Sequence, residues 1–285
     1  MKPTYVLEGA FDVLLHGRPH FISTEAAVSM ARAWSRRLPR RYDLIVGIPR
    51  GGLFFASMMA QNLAIPLSTP DMLPKMWDCP RIPPPDRIKA ILIVEDATRN
   101  GTDLLPAKQK AQTLFPDAVV HSGALYAYES AIIPLNTFAA LIKDKEFLLF
   151  EWELMYLQSK FLATDLDGVL CEDWPNDKRD YLEWMQNVKP LMVPVYGVSA
   201  IITSRREEYR QVTVDWLRKQ GIRFTRLLMD PTRDGKQNFI AFKIWAVNRV
   251  KPKLFLESSD EVARKVHWAT GAPVLCTENM RLYNE

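Results

Sequence analysis

The chain has few of the residues that would place it at once in a special class. Three cysteines in 285 residues (Cys79, Cys171, Cys276), far apart and without a C-x-x-C, argue for a reducing compartment and against both a disulfide scaffold and a zinc site. Four histidines are scarce too, and His16 and His20, on a glycine-proline turn, are too few for a metal centre. No apolar run reaches about 18 residues and no charged segment precedes an apolar one at the N-terminus, so no membrane partner and a cytoplasmic location are expected. No internal repeat or low-complexity segment occurs. The net charge of +4 is too mild for a nucleic-acid stripe, although it favours phosphorylated small molecules. What remains is an ordinary globular composition, 48% hydrophobic and 25% charged, with length for one large domain or two of usual size.

Two series of short apolar strands alternating with helices run along the chain, which predicts an α/β fold of two doubly wound parallel-sheet domains. The first series has strands at YDLIVGI (42–48), IPLST, KAILIVED (89–96), AVVHSGALYAY and EFLLFEWE, with helices at LFFASMMAQNLA and TDLLPAKQKAQTLF. Six prolines in residues 68–87 mark a loop too long for a plain connector. The second series has strands at FLATDLDGV (161–169), VSAIITS (198–204), RFTRLLM, KLFLESS (253–259) and APVLCTE. Its helices lie near DYLEWMQNV, REEYRQVTVDWLRKQ, FIAFKIWAVNRV and DEVARKVHWATG. The domains expected are therefore 1–158 and 159–285. Trp216 and Trp245, at helical spacing with other apolar residues, read as core, and the segment before Tyr42 reads as a hood over the first site.

In the second series Asp165 and Asp167 stand two apart at the end of a strand, on one face, with Gly168 turning the chain away. Ligands of parallel sheets bind at the carboxyl ends of strands. Two such close carboxylates repel unless a cation binds, and Mg2+ favours carboxylate oxygens while leaving room for a phosphate. One aspartate can then be the nucleophile of an aspartyl-phosphate and the other a general acid and base. Thr203, with Ser204 beside it, ends the next strand and can bind phosphate oxygen. Lys243 can neutralise phosphoryl charge. Glu257 and Asp260, after a third strand, can complete the metal shell. These signals in this order resemble the haloacid dehalogenase-like phosphohydrolases over about 160–285. The resemblance implies Asp165 as nucleophile, Asp167 as acid/base, Thr203 and Lys243 on the phosphate, and Glu257 or Asp260 around Mg2+. The last motif reads Glu-Ser-Ser-Asp where adjacent or spaced aspartates are usual, and Lys236 is a rival to Lys243. The inserts are too short for a large cap, which predicts an open site or one roofed by the other domain or a partner subunit.

In the first series VGIPRGG (46–52) offers backbone N–H groups and Arg50 to phosphate at the Gly51-Gly52 turn. ILIVEDATRNGTDL (91–104) brings the Glu95-Asp96 pair, a small loop (Arg99, Asn100, Gly101, Thr102) and a helix N-terminus, which suits a phosphate beside ribose hydroxyls or Mg2+. Asp103 is placed to cap that helix. Together these stretches resemble the type I phosphoribosyltransferases across roughly 5–157. The resemblance implies pyrophosphate on the arginine-glycine turn, phosphoribosyl diphosphate on the acidic loop, and residues 68–87 as the mobile cover. It also implies base stacking on Trp152 or Phe150. Arg99 and Asn100 stand where members commonly carry aspartate and threonine, Asp103 where they carry a hydroxyl. Tyr126 lies near the place of the purine-binding lysine. The function expected is bifunctional: phosphoribosyl transfer to a nucleobase and Mg2+-dependent phosphate-monoester hydrolysis. The alternative is a phosphatase controlled or roofed by a nucleotide-binding domain. The partners expected are small molecules (phosphoribosyl diphosphate, a nucleobase, a nucleotide or sugar phosphate) and, less readily, nucleic-acid ends, with a homodimer allowed.

Overall fold

The computed structural model describes residues 17–77, 85–131, 134–156, 162–175, 180–231 and 239–284. Contacts gather these into two compact units, residues 22–148 and residues 149–284 together with 17–21. The boundary expected at 158 falls at residues 157–161, outside the described set.

The first unit is a five-stranded parallel sheet in the order β3-β2-β4-β5-β6. Its strands are β2 (Leu44–Gly47), β3 (Leu67–Ser68), β4 (Ala90–Thr98), β5 (Val119–Tyr128) and β6 (Thr137–Ile142). The run Leu44–Gly47 is buried throughout, as is Ala90–Glu95, because helices cover both faces of a parallel sheet. The helices are α1 (Thr24–Ser35), α2 (Gly51–Leu63) and α3 (Leu104–Leu114). Asp43 fixes the start of β4: its Oδ2 accepts from the backbone N–H groups of Lys89 and Ala90, both at 2.9 Å. β1 (Arg18–Ile22) and β7 (Glu146–Phe150) pair in a separate two-stranded sheet.

The second unit is a six-stranded sheet in the order β10-β9-β8-β11-β12-β13, parallel except for its last strand. β8 (Leu162–Thr164) lies between β9 (Val198–Arg206) and β11 (Leu254–Glu257). β10 (Phe224–Asp230), β12 (Val274–Cys276) and β13 (Arg281–Tyr283) complete it, with helices α4 (Tyr181–Asn187), α5 (Arg210–Lys219), α6 (Phe239–Val250) and α7 (Asp260–Thr270). Ala163, Ala200, Ile202, Phe255 and Val274 pack under α6 and α7.

Several expectations need correction. β6 and β13 are not among the strands expected from the sequence: β6 is half-exposed, and β13 is only three residues long after a turn. Of the segment before Tyr42, α1 packs on the sheet, where the Trp34 indole N–H donates to Thr137, while β1 joins β7 in the separate two-stranded sheet. Trp216 is core, its indole N–H donating to the Val188 carbonyl, but Trp245 is 53% exposed. α6 turns Phe242, Lys243, Ala246 and Val247 inward, which puts Trp245 outside against Phe242 and Arg249. EFLLFEWE is a strand only to Phe150, after which Glu151–Tyr156 coils into a 3-10 turn. Among the described residues no helix is long and apolar enough to cross a membrane.

Replacing Asp43 with alanine strands two backbone donors at the start of β4. The expected loss is about 1–3 kcal/mol, read from denaturant unfolding. An unchanged midpoint would show that water replaces the carboxylate at no cost.

Candidate functional site

In the first unit two loops meet at the carboxyl ends of β2 and β4. Arg50 precedes α2, and Gly51 and Gly52 form its first turn, directly against β4. A Cβ on Gly51 would lie 1.7 Å from Asp96 Oδ2, and one on Gly52 would lie 2.5 Å from the Val94 carbonyl oxygen. At Gly52 the obstacle is backbone and only glycine fits, whereas a side chain at Gly51 would have to displace the Asp96 carboxylate; the Arg50-Gly51-Gly52 turn thus lies against the Glu95-Asp96 pair. The Pro49–Arg50 peptide is cis. Beyond the pair, the Gly101 N–H donates to Thr98 Oγ1 at 3.2 Å and Gly101 takes the left-handed φ of 64°. Asn100 and Thr102 are exposed on this loop.

Asp103 occupies the N-cap position of α3 but makes no side-chain cap hydrogen bond, which corrects the expectation that it closes that terminus. Its backbone is already helical (ψ −29°), whereas a capping side chain needs an extended residue. The acids are crowded: burial, then Asp96 and Asp103, push Glu95 up to about 8, against a Thr98 hydrogen bond. Burial also raises Asp96. Glu95 Oε2 is buried without a hydrogen-bond partner. Arg99 lies 4.0 Å over the Tyr128 ring, with a buried, unpartnered Nη2. Tyr126 is buried. Phe150 and Trp152 stack on each other, centroids 4.5 Å and planes 10° apart, in the segment grouped with the second unit. Of the proline-rich loop, Trp77 is tied to Leu67, and residues 78–84 lie outside the described set.

In the second unit three adjacent parallel strands converge. β8 delivers Asp165, β9 carries Thr203, and β11 ends on Glu257. Lys243 reaches in from α6 and donates to Asp165 Oδ2 at 2.5 Å and to Glu257 Oε2 at 2.7 Å. All four side chains are buried, Thr203 completely. Backbone groups fix the acids: Leu166 N–H donates to Asp165 Oδ1, and Ser259 N–H to Glu257 Oε1. Burial drives Asp165 well above the usual carboxylate range, Lys243 opposes this, and Glu257 and Asp167 add to it. The two acids raise Lys243 against its own burial. Ser204, half-buried, follows Thr203.

Asp167 is held otherwise. Arg205 forks onto it, Nε to both oxygens at 3.1 and 3.0 Å and Nη2 to Oδ1 at 2.6 Å, and is itself buried. The Cys171 thiol also donates to Asp167. Gly168 has φ 75°, and a Cβ there would meet Ser258 and the Asp173 carboxylate at 2.5 and 2.6 Å. Asp173, an exposed residue whose carboxyl turns back to this point, is raised by burial of that group and by Asp167 and Glu257.

The structure joins Asp165, Lys243 and Glu257 with Thr203 near them, and it sends Asp260 elsewhere. Asp260 Oδ1 accepts from Asn279 and the Tyr283 hydroxyl, because the first turn of α7 aims it at β13. Of the two acids weighed for the metal shell, Glu257 is the one at the site. Lys236, the rival lysine, lies outside the described residues. Sequence reasoning missed Arg205 and Asp173. Arg205 was legible, since it stands two residues after Thr203 on one strand and so shares its face.

Among the described residues no three acidic, histidine or cysteine side chains converge closely enough to hold a metal alone. Among the described residues, Asp165 and Glu257 pair with Lys243, Asp167 pairs with Arg205, and Asp173 lies close to Asp167 and Glu257. The oxygen donors present are of the kind a hard divalent ion that keeps several waters takes, and the Asp167 carbonyl accepts from the Ser258 hydroxyl.

Two consequences can be measured. Glu95 in the folded chain keeps its proton to about pH 8, whereas the unfolded chain releases it near 4.5, so its stabilising contribution is full below 4.5 and lost as pH rises through 8. Glu95→Gln should melt like the wild type at pH 4.5 and several degrees higher at pH 8.5; equal melting at both would refute the burial of charge. Lys243→Met leaves Asp165 and Glu257 unpaired and should cost about 3–5 kcal/mol in unfolding experiments, whereas Asp165→Asn keeps the Lys243–Glu257 pair and should stay close to wild type.

No protein-family model matches the chain, and no curated protein does. Solved structures similar to it include the xanthine-guanine-hypoxanthine phosphoribosyltransferase of Helicobacter pylori, at 19% identity and TM-score 0.38, covering 47% of this chain and 95% of that one. The purine phosphoribosyltransferase of Pyrococcus horikoshii is 17% identical with TM-score 0.38, covering 47% and 93%. A hypothetical protein from Neisseria gonorrhoeae with bound ppGpp is 16% identical with TM-score 0.38, covering 48% and 90%. Each covers just under half of this chain, and assignment of function is left to the chain's own residues.

Proposed function

We propose that the second unit is a phosphate-monoester hydrolase with Asp165 as nucleophile, and that the first unit takes phosphoribosyl diphosphate and transfers its phosphoribosyl group to a nucleobase. One observation carries the first part: Lys243 bridges Asp165 and Glu257 at the carboxyl ends of three adjacent parallel strands, with the Thr203 side chain on the middle strand's neighbour. This resembles the haloacid dehalogenase-like phosphohydrolases. Asp165 attacks phosphorus, the bond from phosphorus to the leaving oxygen breaks, and that oxygen takes a proton from Asp167. Water then attacks the aspartyl-phosphate, Asp167 recovers a proton, and phosphate leaves with Asp165 restored. Because Arg205 donates to both oxygens of Asp167, one prong opens whenever this carboxyl carries a proton. Lys243 keeps Asp165 oriented and offsets charge on the transferring group. Mg2+, held by Asp165 and Asp167, would supply charge neutralisation of the phosphoryl oxygens.

For the first unit the supporting observation is the contact of Gly51 and Gly52 with Asp96 and Glu95, which sets a phosphate-binding turn beside two acids suited to ribose hydroxyls or Mg2+. Asp103 leaves the α3 terminus uncapped, although in its first turn the Leu105 N–H goes to the Gly101 carbonyl and Pro106 has none. In the transfer a base nitrogen bonds to the anomeric carbon, the bond to pyrophosphate breaks, and the nitrogen's proton goes to solvent. A second reading, binding without transfer, is favoured by Arg99. It stands where type I phosphoribosyltransferases commonly carry aspartate, and its guanidinium lies on Tyr128 rather than offering a carboxylate to the loop. Under either reading the first unit's phosphorylated ligand and the second unit's substrate share one chemistry, which gives the fusion a rationale.

Phosphorus NMR with Mg2+, phosphoribosyl diphosphate and a panel of bases, on wild type and Asp165→Asn, tests both parts. Base-dependent pyrophosphate with a monophosphate ester that accumulates only in the variant is expected. Phosphate release should fall on the order of 10³-fold or more in Asp165→Asn. Phosphate release without pyrophosphate selects the binding reading, and release unaffected by the substitution rejects Asp165 as nucleophile.

A further inference from the structure

Beside the second unit's site lies a group of aromatic rings that the hydrolase chemistry does not use. Trp174 follows the Gly168 turn, Tyr181 and Trp184 come from α4, and Tyr209 from the short turn after β9. Trp174 meets Tyr181 and Trp184 edge-on at 5.0 and 5.1 Å, Tyr181 stacks on Trp184 at 5.7 Å, and Tyr209 meets Tyr181 edge-on at 5.3 Å. Two contacts tie the group to the site. Arg205, which forks onto Asp167, also lies 5.2 Å over the Trp184 ring. Asp173, next to Trp174, turns its carboxylate to within 2.6 Å of the Cβ position at Gly168.

The exposure of the rings is graded. Trp184 is buried and serves as the packing base, while Trp174, Tyr181 and Tyr209 each keep part of their surface open. Arg206 donates to the Tyr209 hydroxyl at 2.8 Å and pairs with Glu208. Past Tyr209 a groove of about 440 Å³ runs between α4 and α5, lined by Leu182, Trp216 and Lys219 among others. A core cluster would close all its rings; this one closes one and presents three at a rim next to the acid that serves the leaving oxygen.

We propose that Trp174, Tyr181 and Tyr209 form the wall that receives the leaving group, so that the second unit prefers phosphate monoesters whose leaving group carries a flat aromatic ring. This rests on the hydrolase reading of the same site. The machinery around Asp165 handles the phosphoryl group alone and treats every monoester alike, so selectivity has to arise beside Asp167, where the leaving oxygen departs. A planar ring gains there from stacking on Trp174; an aliphatic polyol does not. Nucleoside monophosphates and simple aryl phosphates share this chemistry.

The test compares kcat/KM for a nucleoside 5′-monophosphate, 4-nitrophenyl phosphate and glycerol phosphate between wild type, Trp174→Ala and Trp174→Phe, with Mg2+ present. The expected result is a fall of about tenfold in the ring-over-glycerol ratio in Trp174→Ala, largely recovered in Trp174→Phe, as for the loss of one stacked ring. A fall for the nucleotide alone names a base as the ring recognised, and a fall for 4-nitrophenyl phosphate alone names a ring directly on the leaving oxygen. Equal losses on all three esters, as a merely structural tryptophan would give, or no loss, overturn the proposal while leaving the hydrolase intact. Release of phosphate from none of the three by wild type overturns the hydrolase reading, and the proposal with it.

Discussion

A lysine ammonium buried between two carboxylates sets the terms for the whole second unit. Asp165, Lys243 and Glu257 are each almost fully removed from water, and none could be buried alone without a penalty of several kcal/mol. They are stable only together, and that requires β8 beside β11 and α6 across their ends. The Asp165 N–H tied to the Leu256 carbonyl locks the two strands at the point where the acids emerge. The same arrangement that solves the burial problem leaves further acids nearby, Asp167 and Asp173, of which Asp167 pairs with Arg205. A parallel sheet that gathers charge in this way at its carboxyl edge is poised for a ligand that carries the missing positive charge together with negative oxygens. A metal-bound phosphate is such a ligand.

The strands that form this edge were legible because each is a short apolar run stopped by a polar residue with a distinctive side chain: Thr164 before Asp165, Ile202 before Thr203, Leu256 before Glu257. Helix α6 was read to the residue, its inward face carrying Phe242, Ala246 and Val247 at helical spacing with Lys243 among them. What escaped lies at the margins. β6 and β13 are edge strands whose pairing depends on tertiary context, and no periodicity announces them. Trp245 was misplaced because a helix rich in apolar residues all round does not reveal which stripe faces inward. Asp260 misled for a related reason: it follows Glu257 by three residues, but the chain turns into α7 between them, and sequence proximity says nothing about that turn. Arg205 could have been found by applying to Thr203 and Arg205 the alternation argument used for Asp165 and Asp167.

The first unit makes similar use of glycine but a different use of charge. Gly51 and Gly52 exist to let one strand end approach another, as the space at both shows. There the acids are not neutralised by a buried lysine. Glu95 answers crowding by holding its proton, and the one arginine on the loop is turned onto Tyr128. A carboxyl that stays neutral can donate as well as accept, which suits hydroxyl recognition better than metal binding. On the proposed reading, the loop would face the sugar of a phosphorylated ligand, with Arg50 as the nearby cation for its phosphates.

The placement of Arg205 connects chemistry and selection in the second unit. Its guanidinium is planar, so the same group can fork onto Asp167 in its plane and present its face to Trp184. A lysine at this position could make one of these contacts but not both. Any movement of Asp167 as it exchanges a proton is therefore felt by Trp184, on which Tyr181 and Trp174 rest. Asp167 and the rings beside it are parts of one packed assembly. On the hydrolase reading proposed above, a side-chain wall of this kind would be the means by which the chain distinguishes one ester from another.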